Sequence, residues 1–237
     1  MTQYEEPRFW NEKVMVIPVC QQLVENFEAI KQETLNFLNT KNPYTKDGKS
    51  IMKYPSMLKT NKIVDGIKTD ELISITENGS WHLSTIGDNA SNPYMKVTLG
   101  AKKVLDRIVK WQTGRTMEEN SEYNSAQFPV FNSILKAVPD GQASGAMVSV
   151  LSPGTVIHPH FSKDGYIRCH LCIVNDDQCF ITVGDETRCW EEGKILAFKD
   201  AGSFPHSVIH NGTQDRVVLI FDLEFDYVKQ YIDSPYL

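Results

Sequence analysis

The segment YIRCHLCIV, residues 166–174, has the alternating pattern of a β-strand with two different faces. Successive residues of a strand point to opposite sides, so Arg168 and His170 share one face while Cys169 and Leu171 share the other. The second face is apolar and suits packing against a helix or another sheet. A guanidinium on the inward face is costly unless it meets an anion or water. This strand therefore predicts a β core with polar, chemically useful groups on its inside.

The residues after Gly145 continue in the same style, as short, apolar and β-branched segments separated by turn sequences. These segments are residues 146–151, 167–174, 178–183, 194–198, 207–210 and 216–223. Regularly spaced short strands are typical of a β-sandwich or barrel. We expect one domain over residues 1–237, with a helical or mixed buttress and substrate-side loops in 1–144, the β core in 145–224 and a C-terminal tail in 225–237.

The N-terminal half is less regular. Residues Val14–Val19 predict a short strand, and the apolar spacing from Cys20 to Thr40 predicts a helix. Two further helices are expected at residues 98–116 and 131–138. Residues 39–80 are rich in Asn, Lys, Pro and Gly, which predicts a long loop system of the kind often found around binding sites.

Composition limits the classes of partner. The chain has 237 residues and a net charge of −6, with no run of basic residues, so it lacks the positive surface that nucleic-acid binding requires. The N-terminal sequence MTQYEEPRFW has no basic and apolar leader. No apolar stretch approaches the roughly 20 residues of a transmembrane helix. We therefore expect a cytoplasmic protein with neither a nucleic acid nor a membrane as partner.

Three residues in the β region suggest a specific chemistry. His160 and His206 lie on separate predicted strands, and Arg216 follows on an apolar strand. Two imidazoles can hold Fe(II), and a buried guanidinium can bind the far carboxylate of a dicarboxylic acid through two charge-assisted hydrogen bonds. The same arginine could instead be a structural residue paired with Asp200 or Asp222.

Whether His206 and Arg216 share a face depends on the turn between them. A two-residue turn at Asn211-Gly212 would place Arg216 on the face opposite His206. A three-residue loop with a bulge shifts the register by one and brings them to the same face. We therefore predict a bulged hairpin with Gly212 at positive φ.

Residues 140–224 contain a set of short motifs and single residues: SVLSPGT (149–155), Pro159-His160, Arg168–Leu171 (RCHL), WEEGK (190–194), Phe198, Asp200, Phe204, His206 and Arg216. In these features the segment resembles the aspartyl/asparaginyl β-hydroxylases. Members of this family are iron- and 2-oxoglutarate-dependent oxygenases. The resemblance implies a double-stranded β-helix, a jelly-roll and cupin-like core, flanked by N-terminal α-helices.

The resemblance also implies a reaction and a site. The implied reaction hydroxylates an amino acid, a peptide or a related small molecule, at the β-carbon, while O2 and 2-oxoglutarate are consumed and succinate is formed. The implied site consists of His160 and His206 as Fe(II) ligands, Ser149 and Arg216 at the distal carboxylate of 2-oxoglutarate, and Arg168 and His170 along the rest of the cosubstrate pocket.

One position departs from the common oxygenase pattern. Most 2-oxoglutarate oxygenases carry Asp or Glu two residues after the first histidine, where this chain has Ser162. The β-hydroxylase family also lacks that carboxylate, so the departure agrees with the resemblance. Asp164 lies in the following loop and is interpreted as a solvated residue rather than a ligand.

Two alternatives stay open. In a cupin-type metalloenzyme, the metal would be held by His158, His160, Asp164 and His206, which leaves Arg168, His170 and Arg216 without a role. In a non-catalytic β-helix, Arg168 and Arg216 would bind a small anion. The oxygenase interpretation uses more of the unusual residues and is preferred.

Overall fold

The computed structural model describes residues 5–39, 58–60, 79–86, 107, 110, 114–161, 165–202 and 204–237. The helices within them are α1 (Asn11–Val14), α2 (Pro18–Glu25), α3 (Phe27–Leu38), α4 (Met117–Ser125), α5 (Pro129–Leu135) and α6 (Phe225–Val228). The strands are β1 (Leu58–Thr60), β2 (Trp81–Thr85), β3 (Ala143–Leu151), β4 (Val156–His160), β5 (Tyr166–Val174), β6 (Cys179–Val183), β7 (Glu186–Cys189), β8 (Ile195–Asp200), β9 (His206–His210) and β10 (Arg216–Glu224).

These strands form two antiparallel sheets. The larger has the order β1-β2-β3-β10-β5-β8, and the smaller has the order β4-β9-β6-β7. From β3 onward the chain passes repeatedly between the sheets, so strands that are adjacent in a sheet are distant in sequence. Eight strands wound in this way form a jelly roll, the double-stranded β-helix. The predicted mainly β fold with N-terminal helices is therefore confirmed.

The two faces of the larger sheet have different neighbours. On the outer face, apolar residues of β5 and β10 pack against the N-terminal helices in one buried cluster, the outer cluster, which includes Trp10, Leu23, Phe37, Phe131, Ile167, Cys169, Leu171 and Leu219. On the inner face, a second buried cluster contains residues of both sheets, including Leu151, Cys172, Ile181, Val208, Trp190, Val218 and Ile220. The two sheets therefore face each other, and the alternation predicted from residues 166–174 is confirmed.

The predicted hairpin between His206 and Arg216 is wrong. β9 lies in the smaller sheet and β10 in the larger, so the two strands do not pair. Residues 211–215 connect the sheets instead, and Gly212 is not among the glycines with positive φ. His206 and Arg216 both face the inside of the barrel, each from a different sheet.

Gly212 has a different structural reason. A Cβ atom at this position would collide with the carboxylate of Asp176. That carboxylate accepts hydrogen bonds from the backbone N–H groups of Gln178, Thr213 and Gln214 at 2.8–3.0 Å. The connection between the sheets is thus held by Asp176, and glycine permits the close approach.

The strand predicted in the N-terminal half is wrong. Residues Val14–Val19 do not form a strand: α1 ends at Val14 and α2 begins at Pro18. Proline fits the first position of a helix, where its missing N–H costs nothing. Directly after the predicted loop system, residues Trp81–Thr85 form strand β2, which pairs with β3. The helix predicted at 98–116 falls mostly outside the described residues.

Among the helices of the described residues, none combines the length and apolarity needed to cross a bilayer. The expected cytoplasmic location stays a prediction.

Candidate active site

Two histidines lie side by side at one rim of the barrel. His160 ends β4 and His206 begins β9, and the two are direct partners in the antiparallel register. Their ring centroids are 4.1 Å apart. His206 is buried, whereas His160 is partly exposed. The sheet pairing therefore brings together the two residues proposed from the sequence as iron ligands.

The hydrogen-bond partners of these rings define their orientation. Nδ1 of His160 lies 2.8 Å from the carbonyl oxygen of His158, and a carbonyl only accepts, so Nδ1 carries the proton and Nε2 carries the lone pair. Nδ1 of His206 lies 3.7 Å from Oδ1 of Asp200. A carboxylate behind a histidine is the usual support for a metal-binding imidazole.

Burial keeps His206 in the state that binds metals. Desolvation, followed by the nearby His160 and the Arg168 charge, holds the pKa of His206 well below its ordinary value. The imidazole is therefore neutral at physiological pH, which is the form that can coordinate a cation.

Two imidazoles, those of His160 and His206, are all that the described part of the site offers a metal. In the described residues there is no group of three or more His, Cys, Asp and Glu side chains suited to one ion. Ser162 and Asp164 lie outside those residues, so the structure gives no position for either. The side chain of His158 is exposed, and the pairing of β4 with β9 shifts register between Ile157 and His160.

Arg168 lies at the same end of the barrel and is partly buried in a network of charges. Its guanidinium forms two bonds to Asp222, at 2.9 and 3.0 Å, and an ion pair with Asp200 at 2.9 Å. It also donates to the hydroxyl of Tyr166 at 2.6 Å. Burial alone would lower the pKa of Arg168, but Asp222, Tyr166 and Asp200 outweigh it and hold the pKa well above the ordinary value.

This network changes the interpretation of two sequence predictions. Arg168 faces inward as predicted, but its donors are engaged by protein carboxylates rather than left to a cosubstrate. Asp200 and Asp222, considered from the sequence as partners of Arg216, are bound by Arg168 instead. Because Asp200 also faces His206, Arg168 links the ionic network to the histidine pair.

Arg216 lies on the inner face of the barrel at the other end of β10. It is only 2% exposed, and its guanidinium stands 4.8 Å above the ring of Trp190. Nη1 donates to Oγ of Ser149 at 3.4 Å, and the thiol of Cys179 lies near the guanidinium. Within the described chain, Arg216 has no ion pair with a carboxylate, and its Nε has no hydrogen-bond partner.

A buried cation without a counter-ion is energetically unfavourable. Desolvation accordingly lowers the pKa of Arg216, although the thiols of Cys179 and Cys172 oppose the shift. The cost is removed when an anion enters, so this end of the barrel has the chemistry of an anion-binding site.

The hydroxyl of Ser149 can donate a hydrogen bond to the same anion. Its Oγ accepts hydrogen bonds from Nε1 of Trp81 at 2.9 Å and from Arg216. A hydroxyl has two acceptor positions and one proton. With both acceptor positions used, the proton is left to donate.

His170 lies between the two arginines on the inner face of β5. Its ring is 7% exposed, Nδ1 accepts from Nε1 of Trp190 at 3.2 Å, and Nε2 has no hydrogen-bond partner. Burial, then the charges of Arg216 and Arg168, hold its pKa well below the ordinary value. The result is a second neutral imidazole inside the barrel with one polar atom unused.

Two tryptophans were missed as site residues. Trp81 donates to Ser149, and Trp190 donates to His170. No local sequence signal marks these contacts, because each joins residues that are 20 or more positions apart.

The family model and the relatives that match this chain carry β-hydroxylase names. The family model described as Aspartyl/Asparaginyl beta-hydroxylase matches residues 69–225. The mouse Aspartate beta-hydroxylase domain-containing protein 2 is 38% identical over 100 residues, which cover 40% of this chain and 29% of that protein. The human Aspartyl/asparaginyl beta-hydroxylase is 32% identical over 118 residues, covering 48% and 15%.

A bacterial relative has a different substrate in its name. The Ornithine lipid ester-linked acyl 2-hydroxylase of Rhizobium tropici is 28% identical over 126 residues, covering 51% of this chain and 43% of that protein. Each of these matches spans less than half of the relative's own length.

Solved structures show only a distant likeness. The cupin domain of Schizosaccharomyces pombe Cnp3 has a TM-score of 0.32 and 12% identity, covering 42% of this chain and 70% of that one. A predicted oxalate decarboxylase from Thermotoga maritima has a TM-score of 0.30 and 17% identity, covering 35% and 69%.

Proposed function

Because the chain belongs to the aspartyl/asparaginyl β-hydroxylase family, we propose that it is an Fe(II)- and 2-oxoglutarate-dependent hydroxylase. The substrate is an amino acid, a peptide or a related small molecule. The hydroxylases among its relatives support the reaction class, and the anion site described above supports the cosubstrate.

The single observation that carries the proposal is Arg216. Its guanidinium is buried and lacks a carboxylate partner among the described residues, and it is joined by a serine hydroxyl whose proton is left to donate. In this proposal, a dicarboxylate binds here through one end and contacts the metal held by the histidine pair through the other. That arrangement suits 2-oxoglutarate, which must contact both a cation and a metal.

The residues present fit the iron and cosubstrate. His160 and His206 would hold Fe(II), and Asp200 would orient the His206 ring. Ser149 and Arg216 would bind the distal carboxylate, and His170 would donate to the cosubstrate through Nε2. When bound, iron, O2 and 2-oxoglutarate supply the oxidising chemistry that hydroxylates an unactivated C–H bond.

Arg168 has a supporting role in this proposal. Its bonds to Asp200 and Asp222 fix the carboxylate that faces His206, so it acts on the metal site through another residue rather than by touching the cosubstrate. The apolar side chains of the inner cluster, including Val218 and Ile220, exclude water from the same space.

The substrate enters at the rim formed by β4. His160 is partly exposed there, and the neighbouring Phe161 is 46% exposed, although it is large and apolar. In this proposal, the exposed Phe161 ring supplies aromatic contact area for the bound substrate.

A turnover assay tests the proposal. Purified protein is supplied with Fe(II), ascorbate, O2 and 2-oxoglutarate, together with a panel of amino acids and peptides, and succinate and oxygenated products are measured by mass spectrometry. We expect succinate that depends on iron and is lost in His160→Ala and Arg216→Met. A wild-type protein that binds 2-oxoglutarate but forms no succinate would favour the non-catalytic anion-binding alternative. Metal-dependent activity that is indifferent to 2-oxoglutarate would favour the cupin-type alternative.

A further inference from the structure

Trp190 contacts two polar residues inside the barrel, His170 and Arg216. The side chain is 1% exposed, its Nε1 lies 3.2 Å from Nδ1 of His170, and its ring lies 4.8 Å from the guanidinium of Arg216. One residue, placed just after β7, therefore contacts two inward-facing residues of the opposite sheet.

The contact with His170 has a definite direction. An indole N–H can only donate a hydrogen bond, so Nδ1 of His170 must be the acceptor and carry the lone pair. Both the indole N–H and that lone pair lie in the planes of their rings, and the two planes differ by only 13°. A neutral imidazole with its lone pair on Nδ1 has its proton on Nε2.

The proton on Nε2 has no acceptor in the structure. Nε2 is buried and makes no hydrogen bond. A buried donor without a partner is unfavourable and occurs mainly where a ligand or water completes the site. The same ring is kept neutral by burial and by the charges of Arg216 and Arg168, which hold its pKa low.

We infer that Trp190 is a positioning residue that fixes His170 in the Nε2–H tautomer, so that His170 presents an N–H donor to an anion bound between it and Arg216. The inference about the anion rests on the proposed function, with 2-oxoglutarate as that anion. The edge of the indole donates to His170 and its face lies against the Arg216 guanidinium, so Trp190 contacts both donors at once.

These two contributions can be separated chemically. Trp190→Phe keeps an aromatic face beside Arg216 but removes the indole N–H. Without that donor, no hydrogen bond stabilises the tautomer with the lone pair on Nδ1 of His170, so both neutral tautomers become populated. Trp10→Phe is a matched control, because Trp10 is also fully buried, its Nε1 has no hydrogen-bond partner, and it belongs to the outer cluster.

The tautomer is measured directly by two-dimensional ¹H–¹⁵N NMR of the histidine rings in protein without metal or cosubstrate. The His170 signals are assigned with His170→Gln. We expect wild-type His170 to be protonated at Nε2 only, Trp190→Phe to give a mixture, and Trp10→Phe to match the wild type. Wild-type His170 protonated at Nδ1 would overturn the inference without any need for a variant, as would a Trp190→Phe spectrum identical to wild type.

The consequence for binding is measured by calorimetric titration of 2-oxoglutarate into Mn(II)-loaded protein. We expect Trp190→Phe to raise the Kd about tenfold, which corresponds to about 1.4 kcal/mol, and Trp10→Phe to leave it unchanged. A shifted tautomer with an unchanged Kd would refute the role in anion binding. A wild-type protein that shows the Nε2–H tautomer but no binding of 2-oxoglutarate would refute the proposed cosubstrate and leave the tautomer assignment standing.

Discussion

Two inward-facing arginines of this barrel, the partly buried Arg168 and the buried Arg216, should respond differently to the same substitution. Arg168 is surrounded by Asp222 and Asp200, whereas Arg216 has no carboxylate partner among the described residues. Methionine is a suitable replacement for both, because it is unbranched, apolar and of similar length. The comparison separates an arginine that stabilises the fold from one that is maintained for a ligand.

The expected magnitudes follow from the charges that remain. Arg168→Met leaves two carboxylates buried, with side chains 1% and 3% exposed, and without their cation. Removing one partner of a buried ion pair typically costs about 3–5 kcal/mol. Arg216→Met removes a charge whose desolvation is offset only by a 3.4 Å bond to Ser149, a thiol and an aromatic face. The free energy of unfolding of Arg216→Met should therefore lie within about 1 kcal/mol of the wild-type value or exceed that value.

Urea denaturation of protein treated with a chelator and without 2-oxoglutarate measures both values. Circular dichroism follows the β structure, and equal m-values confirm that the unfolded states are comparable. The same preparations are then tested for binding of 2-oxoglutarate, which Arg216→Met should lose. If Arg216→Met destabilised the fold as much as Arg168→Met, the division of roles between the two arginines would be wrong.

Three further predictions concern local contacts that stabilise the fold. Gly212→Ala should lower the free energy of unfolding by about 1–3 kcal/mol, because its Cβ meets the carboxylate of Asp176, while the exposed Asn211→Ala should change it by less than about 0.5 kcal/mol. The backbone hydrogen bonds from Gln214, Gln178 and Thr213 lower the pKa of Asp176 in the folded protein. Wild type should therefore be more stable than Asp176→Asn, fully so above about pH 4, the ordinary pKa, and less so as the pH falls through the lower folded pKa. A stability difference that is equal at pH 3 and pH 7 in urea titrations would contradict this. Glu33 accepts hydrogen bonds from two backbone N–H groups in the first turn of α5, so Glu33→Ala should cost about 1 kcal/mol in the same assay, and no loss would show that this cap is dispensable.

The faces of the central strand could be predicted because alternation is a property of the backbone itself. Arg168 and His170 face inward, and Cys169 and Leu171 face the helices, as the period of two requires. The histidine pair could be proposed from the positions of His160 and His206 on separate predicted strands and from the family resemblance. Its direct pairing in the sheet could not, because it depends on a register between two strands far apart in sequence.

The connection between His206 and Arg216 shows why the remainder could not be predicted. Asn-Gly between two apolar strands is a strong local signal for a hairpin. Here the two strands belong to opposite sheets, and the connection is fixed by Asp176, a residue more than 30 positions earlier. Trp190 was missed for the same reason, since its donor role appears only when the two sheets face each other.

The most direct test is the absorbance spectrum of the anaerobic protein with Fe(II) and 2-oxoglutarate. If His160 and His206 hold iron and Arg216 holds the cosubstrate, a visible charge-transfer band should appear only when both are added. It should be absent in His160→Ala and much weaker in Arg216→Met at the same 2-oxoglutarate concentration. A wild-type protein without the band, or an Arg216→Met protein with a band of full intensity, would contradict the proposed site.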